Sequence, residues 1–215
     1  MKRLHVLGLA VFVALIVSVV AAAAAPNLEI VIPKATKAPV IDGKLNDAAW
    51  LNASIKGGKA VVDVDNNGVI LSQYPRVAYL TYDDKALYVA FAIFAPDVTK
   101  LESSLPAWSH NDEIEVFLQP FKVGDHFQFG VTANGTQGGR GTGAQAAVST
   151  AGIRWVVEMA IPWDSVGGKA PKAGDKWGLN LCGRQIAVGD QWLAWNCTFG
   201  GFHNPAAFGT AIFGE

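Results

Sequence analysis

From residue 28 onward the chain is built of short runs in which apolar and polar residues alternate. That period of two is the mark of half-buried strands. Strands are expected over residues 28–32, 60–64, 77–82, 87–94, 113–119, 126–132, 153–161, 177–186, 191–199 and 208–213. Gly, Pro, Asn and Asp punctuate them, and Asp83-Asp84-Lys85 reads as a turn between two neighbours. Helical periodicity is nearly absent; residues 46–50 suit one capped turn. Many short strands with this punctuation predict an all-β antiparallel sandwich or barrel. Neither an internal repeat nor a linker divides residues 26–215.

The beginning of the chain follows another pattern. Lys2 and Arg3 precede a stretch from Val6 to Val20 that is apolar apart from Ser18, and Ala21 to Ala25 then supply small residues before Pro26. A basic start, an apolar middle and an Ala-x-Ala end read as a secretory signal peptide over residues 1–25. The rival reading is a membrane anchor, since the apolar run is nearly long enough to span a bilayer. With the signal removed the chain keeps 15 basic against 18 acidic residues, a net charge of −3. This balance argues against a nucleic-acid partner, which needs a basic face, and against electrostatic membrane binding. Hydrophobic residues at 51% with charged ones at 16% exclude a disordered chain. The expected destination is the periplasm, the cell surface or the medium.

An exported chain meets an oxidising compartment, so Cys182 and Cys197 are candidates for a disulfide. A two-residue turn at Gly189-Asp190 would set Cys182 opposite Cys197, and Arg184 opposite Trp195. Two thiols lining one sheet face without bonding is the alternative.

Three other patterns bear on chemistry. Asp63, Asp65 and Asn67, followed by Gly68, resemble the start of a calcium loop. The bidentate acid expected later is missing, since Tyr74 stands there, and a polar turn is the simpler reading. The glycines at 139 and 141 match a loose dinucleotide fingerprint, but no helix follows, so a hairpin loop is expected. Asp112, Glu113 and Glu115 lie on one strand and by themselves cannot face each other across a glycosidic bond, and no Gly-x-Ser-x-Gly elbow is present. An enzyme is therefore not expected.

Several motifs in fixed order carry a resemblance. They are Ile41-Asp42-Gly43-Lys44-Leu45-Asn46-Asp47-Ala48-Ala49-Trp50; Tyr82-Asp83-Asp84-Lys85-Ala86-Leu87-Tyr88-Val89; Trp108 leading into Asn111-Asp112-Glu113-Ile114-Glu115-Val116-Phe117-Leu118; and Trp155-Val156-Val157-Glu158-Met159-Ala160-Ile161-Pro162-Trp163. Trp177-Gly178-Leu179-Asn180, Arg184, Trp195 and Phe202-His203-Asn204-Pro205 follow. Over residues 36–215 the sequence resembles the family 9 carbohydrate-binding modules and their DOMON-like relatives. The resemblance implies an immunoglobulin-like β-sandwich that binds an oligo- or polysaccharide without cleaving it, with structural calcium known in the family. It implies that Trp108 is the first aromatic clamp and Glu115 an acceptor for sugar hydroxyls. Phe202 falls where the second clamp is usually a tryptophan, which departs from the family pattern.

The residues themselves leave alternatives open. Trp108 lies in a polar loop and is either a ligand platform or tucked in. Glu113 and Glu115 share one strand face, which is either a site or merely solvated. Arg184 and Trp195 either line the site or make a cation–π pair that braces the sheet. Trp50, Trp155, Trp163 and Trp177 sit among apolar residues and are expected in the core. The rival to carbohydrate binding is an extracellular or cell-surface assembly protein built on the same sandwich.

Overall fold

The computed structural model describes residues 27–215; the expected signal peptide lies outside the described residues. The strands are β1 (Glu29–Ile32), β2 (Lys59–Asp65), β3 (Leu71–Tyr82), β4 (Ala86–Phe94), β5 (Glu113–Gln119), β6 (Phe127–Thr132), β7 (Gln137–Gly138), β8 (Gln145–Ala151), β9 (Arg154–Pro162), β10 (Lys176–Gln185), β11 (Gln191–Ala194) and β12 (Gly209–Phe213). Among the described residues a single α-helix, α1 (Ala48–Ile55), replaces the one turn expected at residues 46–50. Among the described residues no helix is long and apolar enough to cross a membrane.

The strands run β7-β6-β5-β10-β11-β2-β3-β4-β9-β8 in a nearly closed antiparallel order. β12 pairs with β10 and, in parallel, with β1. The join between the two halves is narrow: Leu193 and Ala194 of β11 pair with Asp65 and Val64 of β2. The arrangement is all-β and sandwich-like. Alternation assigns the faces. Ile114, Val116, Leu118, Leu179 and Leu181 from one half meet Ala78, Leu80, Val89, Phe91, Val157 and Met159 from the other in one core. Trp155, Trp163 and Trp177 belong to it as expected, and so does Trp195.

Trp50 builds a second, smaller core on the outer side of β4 and β9, against Ala86, Ala90 and Ala160. Its anchor is Glu158, which is fully buried. One carboxylate oxygen accepts the N–H of Asp42 at 2.8 Å and of Gly43 at 2.7 Å. The other accepts the N–H of Leu45 at 3.0 Å and the Trp50 indole N–H at 2.8 Å. Three backbone donors and an indole thus compensate an anion removed from water. Gly43 has φ 81°, a conformation that costs glycine nothing and lets the loop curl round the carboxylate. The 41–50 motif and the Glu158 strand motif occur together because one is the ligand shell of the other.

The β10–β11 hairpin corrects two expectations. Arg184 pairs with Trp192, Cys182 with Ala194, and Gln185 with Gln191 closes the ladder. Residues 186–190 therefore form the connection, with the N–H groups of Gly189 and Asp190 both donated to the Ile186 carbonyl. The connection is centred on residue 188, ahead of the Gly189-Asp190 pair, and this slips every partner by three residues. Cys182 and Cys197 are both free and buried rather than bridged. Cys182 packs with Phe117, Phe202 and Phe208, while the Cys197 thiol lies 3.7 Å and 3.6 Å from the carbonyls of Asp65 and Asn66. β11 also stops early: the Asn180 side chain accepts the N–H of Asn196 at 3.0 Å and donates to the Asn196 carbonyl at 2.8 Å, replacing the ladder.

Two outcomes follow. Glu158→Ala leaves four donors unsatisfied and lowers stability by about 3 kcal/mol or more; a fall of roughly 6–12 °C in the thermal midpoint checks it. Thiol titration without reductant gives two reactive cysteines per chain after denaturation and slow labelling before it.

Candidate functional site

The acidic strand β5 divides its motif between scaffolding and a cavity. Asn111 is buried and ties the preceding loop to itself: its side chain accepts the N–H of Leu105 at 2.9 Å and donates to the carbonyls of Ala107 and Trp108, both at 3.0 Å. Asp112 joins two loops, accepting the N–H of Glu102 at 2.8 Å and of Ile186 at 2.7 Å. Glu113 is fully buried, and its side chain accepts the Arg184 N–H at 2.5 Å. These three residues are framework.

Glu115, two residues along the same face, opens into a cavity of about 310 Å³. Asn66, Ser109, Gln128, Trp192, Phe202 and His203 complete its lining with Gly201. Gln128 donates to the Glu115 carboxylate at 2.5 Å. Burial pushes the Glu115 carboxyl up to about 7, against the opposing pull of the Gln128 bond and the Arg76 charge. Glu113 is raised as well, by burial first and by Glu115 second.

Aromatic rings form one wall. Trp192 lies at 5.8 Å from Phe202 and 6.5 Å from His110, both edge to face, and the Arg184 guanidinium sits 5.0 Å over the Trp192 ring. Arg184 is fixed in turn by Asp190, at 2.7 Å and 3.0 Å, and donates to the His110 carbonyl at 2.7 Å. Such braced rings lose little freedom when a ligand arrives. The Phe202 loop is held from the other side by the ring nitrogens of His126 and His203, 2.9 Å apart. Burial lowers the pKa of both histidines.

Trp108 is half-buried and adjoins this cavity without lining it; its neighbour Ser109 does. The Trp108 ring lies on Gly130 of β6 and Gly138 of β7, paired glycines where any side chain would overlap it. Gly130 itself pairs with Glu115, which brings the indole alongside the acid.

Of the five sequence candidates, Glu115 and Phe202 share the cavity, Trp108 and Arg184 border it, and Trp195 does not belong. Trp195 is 7% exposed, part of the main core and packed on Gly209. The register shift explains the exchange, since Trp192 and not Trp195 faces Arg184. Trp192 and Gln128 were missed, although Gln128 follows from alternation opposite Phe117.

Asp63 and Asp65 lie at the end of β2 and Asn67 in the turn that follows. One Asp65 oxygen accepts the N–H groups of Val69 and Ile70, both at 2.7 Å, and the other that of Asn67 at 3.4 Å. Asp65 thus engages both its oxygens with backbone donors of the turn. No cluster of three or more His, Cys, Asp or Glu gathers among the described residues.

Fold and cavity together define a β-sheet module with a small, aromatic-walled pocket and an acid at its floor. A family model described as carbohydrate family 9 binding domain-like matches residues 41–215, and the chain belongs to this family. Two solved structures share the fold. A family 9 carbohydrate binding module from Caldicellulosiruptor kristjanssonii in complex with cellotriose has a TM-score of 0.71 at 20% identity, covering 87% of this chain and 94% of that chain. A family 9 module from the same organism in complex with glucose has a TM-score of 0.68 at 20% identity, over 87% and 97%. No curated protein matches the chain.

The raised Glu115 carboxyl has a sign that can be measured. The folded protein holds this proton up to about pH 7, while the unfolded chain releases it in the ordinary carboxylate range. Its contribution to stability is therefore full below that range and is lost as pH rises through about 7. Denaturant unfolding at pH 5 and pH 8 checks this: Glu115→Gln gains stability relative to wild type at the higher pH.

Proposed function

We propose that this chain is an exported, non-catalytic carbohydrate-binding module whose ligand is a neutral gluco-oligosaccharide. One observation carries the reading: a nearly buried carboxylate and an amide, Glu115 and Gln128, form the floor of a cavity walled by Trp192 and Phe202. Sugar rings present apolar C–H faces and a rim of hydroxyls, so they need an aromatic wall and fixed polar partners together. Glu115 accepts one bond from Gln128 and keeps acceptor positions for hydroxyl donors. Asn66 and Gln128 supply amides that both give and accept. Trp108, seated beside the acid, is read as the facing platform, and Arg184 as the residue that sets the angle of Trp192.

Membership of the family and the cellotriose and glucose held by the two related modules support the choice of ligand. The sandwich-like pairing supports an immunoglobulin-like reading of the fold. The small-residue tract before Pro26 supports export, to the periplasm, the surface or the medium.

Calorimetric titration with glucose and cellotriose tests the assignment. Trp192→Ala removes a braced platform and weakens binding at least about tenfold, or roughly 1.4 kcal/mol. Trp108→Ala does the same from the facing side. At pH 8, where Glu115 has released its proton, Glu115→Gln keeps shape but loses a charge-assisted acceptor, for roughly 1–2 kcal/mol. Unchanged affinity in Trp192→Ala and Glu115→Gln together sinks the site.

A further inference from the structure

We propose that Phe199 is a second stacking platform, taking the next sugar ring of an oligosaccharide whose terminal ring fills the Glu115 cavity. The inference rests on the carbohydrate reading of that cavity and extends it to a chain longer than the cavity holds.

Phe199 is 52% exposed and has φ 51°, a backbone state in which a bulky residue is an outlier. Strain of this kind persists only where the surroundings enforce it. Here the Asn66 side chain donates to the Gly200 carbonyl at 2.9 Å, and the Gly200 N–H returns to the Asn66 carbonyl at 2.9 Å. Thr198 donates its hydroxyl to the same Gly200 carbonyl at 2.9 Å. The ring is seated on Gly68, where a Cβ would come within 2.9 Å of its edge. Trp108 is seated on glycine in the same manner. In each case an aromatic ring lies against bare backbone, half-buried at Trp108 and more exposed at Phe199.

The position is continuous with the cavity. Asn66, which clamps the Phe199 loop, lines the cavity, and so do Gly201 and Phe202 two and three residues further on. The cavity is near the small end of ligand pockets, so a longer chain must leave over its rim. The chain running on from Gly68 is apolar and exposed: Val69, Ile70 and Leu71 are 80%, 55% and 68% exposed. An apolar surface of this sort is a contact surface. Its continuity with the cavity makes the continuing glycan the occupant argued for, and a second copy of the chain the competing one.

The test compares affinities for glucose and cellotriose in wild type, Phe199→Ala and Phe199→Gly, with oligomeric state followed by sedimentation. Phe199→Gly suits the left-handed backbone and keeps the loop, so it separates loss of the ring from loss of the fold. The expected result is that wild type prefers cellotriose and that both variants cut the cellotriose-to-glucose affinity ratio about tenfold. An unchanged ratio overturns the proposal, as does a wild type with no preference for the longer sugar. Association of wild type that either variant abolishes, with the ratio intact, assigns the patch to a second copy. A wild type that binds neither sugar brings down the reading of the cavity itself.

Discussion

Arg76 spans the interior between the two halves of the structure. It sits on β3, on the same inward face as Ala78 and Leu80, and is fully buried. Its guanidinium donates to the Glu113 carbonyl at 2.6 Å, to the Arg184 carbonyl, and to the Gln185 side chain at 3.3 Å. A desolvated cation is costly unless every donor is engaged, and here one residue of the far layer fixes where β5 and β10 lie. Gly183 leaves the space it needs; any side chain there would overlap the guanidinium. The floor of the cavity is therefore set from behind: Glu113 and Arg184 hold the cation by their backbones while their side chains meet neighbours on the outer face.

Two buried carboxylates show how one chemical group serves opposite ends. Glu158 receives four hydrogen bonds and has nothing left to offer, which suits an anchor. Glu115 receives one from a side chain, at the floor of a cavity, and burial raises its pKa. Burial alone would not separate them, since both are nearly inaccessible. The difference is the supply of donors, and that follows from topology. Glu158 faces a loop that curls its N–H groups inward, whereas Glu115 stands in a ladder whose backbone donors are already spent.

Much of the sheet was legible because alternation survives wherever one face is buried. β5, β4 and β9 fall within a residue or so of expectation for that reason. β7 and β8 were passed over because glycine and alanine carry little periodicity, although their smallness is what lets Trp108 lie flat on β7. The largest error came from turn chemistry. Gly189-Asp190 looks like a tight turn, but the connection runs from 186 to 190 and moves Trp192 into the place expected for Trp195. A three-residue slip separates the cysteines and changes which indole meets Arg184. The functional acid was legible through its motif, and Gln128 through pairing with the next strand, but Asn66 comes from a turn far along the chain and no local pattern joins it to them.

The paired glycines beneath Trp108 make the indole and its seat a single heritable unit. A side chain at either glycine would eject the ring, and loss of the ring would leave a trench across two strands. Neither change is tolerable first, so the three positions are bound to one another over any plausible mutational path. Change in ligand preference is then channelled elsewhere, into the loop of Gly201, Phe202 and His203, whose residues line the cavity without being built into the sheet.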